Sequence, residues 1–328
     1  MSTTQLSDIV KPEIYGNYTN EPSVELNALF QSGVIVTSQL LQSKANSGGQ
    51  TINLPFWKQL SKDEPNISSD DPAEEATPLK VQGAKQVARI SHLNQAWSTM
   101  DLATEISGSD PMGSVRARLN QYWAEQFQRR LVATIQGVVA DSVANHSSDL
   151  IKDDSALAFN ASGFLAAAQT LGDHKGMLRS LVVHSEVQRV MAENDLIQYL
   201  PDSSGNFILP TYKGLQLIQD DEVNEPSAGV YDCYLVGAGA IGSAAGTPAM
   251  PLEVERGALK GNGGGSENLV SRVTPIVHPF GYAWSDSTVA GDSPTLAELK
   301  LADNWTRVLT SRKSIPMAVY RCALEDAA

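Results

Sequence analysis

Cysteine is almost missing from this 328-residue sequence, which holds only Cys233 and Cys322. Two cysteines build no disulfide framework and here lack metal-ligand spacing, so they read as small buried apolar groups in a chain suited to a reducing compartment. Long apolar runs are missing too. No stretch of about 18 uninterrupted apolar residues occurs, and the opening MSTTQLSDIVKPEI has neither a basic nor an apolar signal region. The expectation is a protein that neither spans a membrane nor carries a secretory signal. Positive charge is scarce, with 24 Lys and Arg against 37 Asp and Glu, a net charge of −13. That balance disfavours a protein whose main task is gripping nucleic acid, because such grip rests on Lys and Arg neutralising phosphates. The five histidines, His92, His146, His174, His184 and His278, never pair at i+3 or i+4. They predict surface or structurally satisfied imidazoles, with no zinc site and no cofactor. No serine is flanked by glycines at −2 and +2, and no phosphate-binding GxxxxGK[ST] occurs, so hydrolase and nucleotide-loop chemistry lack their residues.

What is present is a chain long enough for a sizeable core and about two domains. Residues 1–22 read as an extended arm, followed from Ser23 by one amphipathic helix through Leu26, Leu29, Phe30, Val34, Val36, Leu40 and Leu41 that stops near Ser47-Gly48-Gly49. A strand is expected at Thr51–Trp57, confined to an edge by Pro55, and a return strand at about Val87–Met100. Between them lie Asp63, Glu64, Asp70, Asp71, Glu74 and Glu75 with Pro65, Pro72 and Pro78, too polar to build a core and therefore a protruding acidic loop. Asp110-Pro111 announces a helix running to about Asn145. Its apolar row Val115, Leu119, Trp123, Phe127, Leu131, Ile135, Val139 and Val143 drifts about 40° per step. Such a helix is either a spine with different partners at its two ends or one buried all round. Beyond it, short elements alternate: helix 161–171, strand 178–184, helix 185–193, and strands at 212–219, 230–236 and 252–255. The glycine-rich tip 261–266 leads to a strand over 269–284 interrupted at Pro275 and Pro279, a short helix opened by Ser293-Pro294, and a last strand over 315–324.

Gly237-Ala-Gly-Ala-Ile-Gly242 matches the dinucleotide-binding pattern GxGxxG. The helix that this chemistry requires is interrupted by Gly246, Pro248 and Pro251, so a turn of closely approaching backbones is the preferred reading over an NAD site. Asp153-Asp154 and Asp220-Asp221-Glu222 read as solvated turns. Basic residues gather on the long helix at Arg116, Arg118, Arg129 and Arg130, where residues 111–150 sum to +1 while 151–270 sum to −8. Those arginines suit either a nucleic-acid face or ion pairing with acidic neighbours such as the loop at 63–75.

Arm, protruding hairpin, spine helix, compact α/β insert and return strands, in this order, resemble the tailed-phage major capsid proteins of the Hong Kong 97 type. So does local wording at Leu181-Val-Val-His-Ser-Glu-Val187, Tyr212–Asp221, Val236–Ile241 and His278-Pro-Phe-Gly-Tyr-Ala-Trp284. The resemblance implies an α+β coat fold: N-terminal arm and helix (1–49), extended β-hairpin E-loop (50–98), P-domain with spine helix (99–155), α/β A-domain (156–268) and P-domain C-terminal strands (269–328). It implies a virion protein, assembled in the host bacterial cytoplasm, whose copies form hexamers and pentamers of an icosahedral shell around double-stranded DNA without sequence-specific binding. Separate scaffolding, portal and decoration proteins are the further partners, with no membrane. The assembly contacts expected are Trp57, Lys58, Asp70, Asp71, Glu74, Glu75, Arg89, Arg116, Arg129 and Arg130, with no catalytic, cofactor or metal residue. Lys58, Lys62, Lys80 and Lys85 fall where some relatives carry a cross-linking lysine, but none matches that position specifically. The alternatives are an NAD-dependent oxidoreductase using Gly237–Gly242 and an encapsulin-like nanocompartment shell.

Overall fold

The computed structural model describes residues 35–325 apart from 38, 47, 62, 69, 202–206, 224 and 225. The expected arm, the first turns of the helix from Ser23, and Lys62 lie outside the described residues.

The described chain opens with strand β1 (Ile35–Thr37) and helix α1 (Gln39–Ala45). The single helix expected to run through this stretch is therefore corrected. Ile35, Val36 and Thr37 are β-branched and pair in parallel with Ile241, Gly242 and Ser243, so an available sheet edge outweighs the helical period. Strands β2 (Thr51–Trp57) and β3 (Gly83–Arg89) form a hairpin in register from Thr51↔Arg89 to Trp57↔Gly83. The return strand splits, because the chain turns after Ile90 and begins β4 (Leu93–Met100) against a different partner. Helix α2 (Asp101–Ser107) ends on Gly108 in the left-handed region, and α3 (Pro111–Asn145) follows with Pro at its first position. Asp110 occupies the cap position of α3, yet its side chain makes no capping hydrogen bond.

Next come β5 (Ile151–Ala158), α4 (Ala161–Gln169), β6 (Leu178–Val183), α5 (Ser185–Glu193), β7 (Gln198–Pro201), β8 (Phe207–Tyr212), β9 (Leu215–Gln219) and β10 (Val230–Gly237). The strand expected across 212–219 is interrupted at Lys213-Gly214, whose φ angles of 49° and 82° make the two-residue hairpin turn that a right-twisted ribbon prefers. Strand β11 (Ile241–Gly246) then leads through β12 (Leu252–Arg256), β13 (Ser266–Pro279), β14 (Tyr282–Trp284), α6 (Leu296–Leu299), β15 (Trp305–Arg307) and β16 (Met317–Ala323). Helix α6 starts two residues later than Ser293-Pro294 suggests. The Thr295 hydroxyl accepts from Glu298 N at 3.2 Å, and the Glu298 carboxylate accepts from Thr295 N at 2.8 Å, a reciprocal cap.

Two larger sheets organise most of these strands, while among the described residues β14 pairs only with β15 as β2 does with β3. One has the order β5-β16-β10-β6-β9-β8-β7 and the other β1-β11-β13-β12, with β4 also on β13. Strand β13 is shared along its length: Ser266–Val273 pairs β4, and Thr274–Pro279 pairs β11. Pro275, expected to interrupt it, lies where the partner changes.

The central strands β6, β10 and β16 of the seven-stranded sheet are buried on both faces, and their side chains alternate accordingly. Val182, Tyr234, Val236, Met317 and Val319 face a core that includes Leu131, Ile135 and Val138 of α3 with Trp284 and Trp305. Leu181, Val183, Leu235, Ala318 and Tyr320 face the opposite core with Phe159, Phe164 and Val187. The drifting stripe of α3 has a double outcome. Its first half is half-exposed, with Tyr122 against Trp97 and Trp123 Nε1 donating to Ser271 Oγ at 2.9 Å. Its second half, from Gln128 to Ser142, is buried nearly all round. The two ends thus meet different partners, as the spine reading expects, and burial all round describes the second half alone.

Candidate assembly surface

Beyond the β2–β3 hairpin, the described residues of 58–82 carry no regular strand, and every one of them is exposed. The two legs touch where Lys58 N donates to Gln82 O at 2.8 Å and where Asn66 Nδ2 donates to Thr77 O at 3.2 Å. Polarity alone does not describe this segment. Trp57 is 75% exposed, Leu60 71% and Ile67 87%, and Leu79 and Val81 are also in solvent. Large apolar side chains at such exposure, interleaved with Asp70, Asp71, Glu74 and Glu75, make this segment the candidate interaction surface of the subunit. Lys58, Lys80 and Lys85 are exposed beside them.

The arginines singled out in the sequence do not join that surface. Arg89 is buried; its guanidinium donates to Gln50 Oε1 at 3.0 Å and to Asp292 O at 2.7 Å, and sits 3.4 Å from Asp286. Arg130 is buried as well, donating to Ser91 Oγ at 2.9 Å and Pro294 O at 2.6 Å, with burial lowering its pKa to about 10. Both tie the hairpin base and the C-terminal segment to the subunit. Arg116 pairs with Glu267 on β13, and Arg129 lies 3.3 Å from Glu222. These contacts are internal to one chain.

The Glu222 contact belongs to a joint that sequence reading missed. Asp220 was expected in a solvated turn; instead it is buried, accepting from Gln128 Nε2 of α3 at 3.0 Å and from Glu222 N at 2.9 Å. Burial first, and then the adjacent Glu222 and Asp221 carboxylates, push its pKa up to about 6. Asp221 accepts from Ser185 N at 3.0 Å, and the Nδ1 of His184 accepts from Glu186 N at 3.2 Å, so the start of α5 is held by the same turn. A hydrogen-bonded corner thus connects the seven-stranded sheet to the long helix. Asp153 and Asp154 are also corrected, since they lie in β5 paired with β16, with Lys152 2.8 Å from Asp154 and Arg321 3.7 Å from Asp153.

Gly237–Gly242 is a strand-to-strand turn. Gly239 has φ of 73°, and Ile241 enters β11 directly, so no helix N-terminus exists there to face a pyrophosphate. A Cβ on Gly237 would meet Met177 O at 2.7 Å, which explains the small residue by close backbone approach. Among the described residues, no group of three His, Cys, Asp or Glu side chains is placed to hold a metal. His278, buried, has Nε2 3.0 Å from Gln86 Oε1, and burial lowers its pKa to about 4. Sequence reading also gave no sign of a largely apolar groove of about 550 Å³ between the middle of α3 and β11, floored by Leu93, Val273 and Pro275.

No protein-family model matches the chain. The major capsid protein of Bacillus phage SPP1 is 33% identical over 320 residues, spanning 95% of this chain and 96% of that protein. Among solved structures, the cyanophage Pam1 capsid asymmetric unit superposes with a TM-score of 0.59 at 11% identity, covering 96% of this chain and 98% of that one. A Mycobacterium phage Che8 structure gives 0.55 at 9% identity over 94% and 96%. Likeness at these identities speaks for a common fold.

Proposed function

The chain belongs to the major capsid proteins of tailed phages, with the Hong Kong 97-type fold, and from that premise we propose how its parts divide the work of building a shell. Copies associate as hexamers and pentamers of an icosahedral shell that encloses double-stranded DNA. Residues 50–98 act as the E-loop, 99–155 and 269–328 as the P-domain, 156–268 as the A-domain, and 1–49 as the arm and its helix. The observation that carries this reading is the exposed excursion at 58–82 with the strand end that leads into it, where Trp57, Leu60 and Ile67 have no cover in their own subunit. Trp57, Lys58, Asp70, Asp71, Glu74 and Glu75 are the contact residues toward a neighbouring copy, with Arg116 and Arg129 at the rim of the subunit. Arg89 and Arg130 support that contact from behind by fixing the hairpin base.

The relatives are structural coat proteins and virion components. Assembly in the host cytoplasm, with separate scaffolding, portal and decoration proteins, extends the same reading. The net charge of −13 suits a container that encloses DNA without gripping it. The oxidoreductase alternative fails on the turn at Gly237–Gly242, and the 33% relative, a phage coat protein, leaves the nanocompartment alternative without support.

Negative-stain microscopy of the purified full-length chain tests the reading. Rings, shells or tubes are the expected result. Discrete small oligomers that change fluorescence with NADH would overturn it.

A further inference from the structure

The two cysteines, set apart in the sequence as inert apolar groups, meet in the structure. Cys233 on β10 and Cys322 on β16 are both fully buried and both free, with their sulfurs 3.8 Å apart. The register places Cys233 opposite Tyr320 and Tyr231 opposite Cys322, so the thiols form a diagonal cross-strand pair on one face of the sheet. Their positions in the chain matter as much as the distance. Strand β10 is where the chain leaves the seven-stranded sheet, and β16 is where it returns after passing through β11–β15. The pair is 89 positions apart in sequence, and it sits on the seam that the C-terminal strand must close.

We propose that Cys233 and Cys322 are a latent redox staple, joined to each other by a small two-electron thiol oxidant of the azodicarboxamide class. One thiolate adds to the N=N bond to give a sulfenyl hydrazine. The second thiolate attacks that sulfur, forms the S–S bond and expels the hydrazine anion. The two sulfurs lose the two electrons that the N=N bond gains, and the two thiol protons end on the nitrogens. Reaching the ~2.05 Å bond closes the sulfur gap by about 1.8 Å, and because diagonal cross-strand positions ordinarily lie about 7–8 Å apart, it also asks the two strands to draw together locally. The neighbouring thiol and burial both hold Cys233 protonated, so the reduced pair persists in the closed sheet and reacts when β16 opens. Once formed, the bond would tie the outgoing and returning strands and confine the unfolded chain.

The test uses the full-length chain, unfolded in denaturant, oxidised at low protein concentration with diamide until its mass falls by about 2 Da and no free thiol remains. It is then refolded beside a reduced sample. The expected result is the same far-ultraviolet dichroism with a Tm several degrees higher, a rise that dithiothreitol abolishes and that diamide-treated Cys322→Ala does not show. An oxidised chain that melts at or below the reduced one, or that fails to refold while the reduced control succeeds, overturns the proposal.

Discussion

At Asp220 a carboxyl group is buried between a strand end and the long helix, and its pKa is about 6 instead of the ordinary carboxylate value. A raised pKa means that the folded chain holds this proton more tightly than the unfolded chain does. The stability linked to that proton is therefore complete below about pH 4 and is lost as pH rises to about 6, a difference of roughly 3 kcal/mol. Asp220→Asn keeps one acceptor and cannot ionise. Thermal melts of wild type and variant between pH 4 and 7 should show the wild type losing ground relative to the variant as pH rises, and parallel curves would refute this assignment. A second residue-scale prediction concerns Gln86, whose Oε1 faces His278 Nε2 at 3.0 Å and accepts from Gly281 N at 3.2 Å. Gln86→Leu strands two buried polar groups and should cost ~2 kcal/mol or more in urea unfolding. The sign at His278 is opposite to that at Asp220. Its pKa near 4 lies below the ordinary imidazole value, so it contributes stability at neutral pH that is lost as pH falls from about 6.5 to 4.

The long helix is the element where residue patterning and packing meet most closely. Its last third passes under the C-terminal segment at Gly137, where an added Cβ would come 2.1 Å from Leu299 O and 2.3 Å from Trp305 Nε1. That indole donates to the same Leu299 carbonyl at 2.8 Å, so neither neighbour can yield without breaking the bond. Gly137→Ala should destabilise the subunit by about 2 kcal/mol despite alanine's better helix propensity of ~1 kcal/mol. Gly113→Ala in the same helix makes the control. The atom it would approach, at 2.7 Å, is the Asp110 carboxylate, which makes no capping hydrogen bond and is free to rotate aside. Denaturant titrations should find this second variant neutral or more stable by up to about 1 kcal/mol. A shared loss in both variants would show that the close approach at Trp305 is not the cause.

For the whole molecule, the excursion at 58–82 buries nothing within its own subunit, so changing it should separate folding from assembly. Ile67→Ser, at a position 87% exposed, should leave the Tm of the isolated chain within about 1 °C while markedly reducing the fraction that sediments as large particles. A fall in Tm of many degrees would mean that the side chain serves the subunit's own core. Replacing Asp70, Asp71, Glu74 and Glu75 together by their amides should weaken assembly most at low ionic strength, since contacts between exposed charges are screened beyond about 10 Å at 0.1 M salt.

Much of this architecture was legible in the order of residues. The proline-started helix over 111–145, the Pro55 edge hairpin, the glycine turn at 237–242 and the strand–helix alternation after 155 depend on neighbours within a few turns, and the chain states them locally. Which polar side chains are buried was not legible. Arg89, Arg130 and Asp220 read as surface charges because their partners, Asp292, Pro294 and Gln128, lie far away in sequence. The fate of Ile35–Thr37 was decided the same way, by an edge of β11 some two hundred residues further on. Sequence by itself determined the local elements and the family, since period, caps and breakers act over short range. Only the tertiary structure decided what each charge and each sulfur does, because desolvation and contact depend on which distant strands the fold brings together.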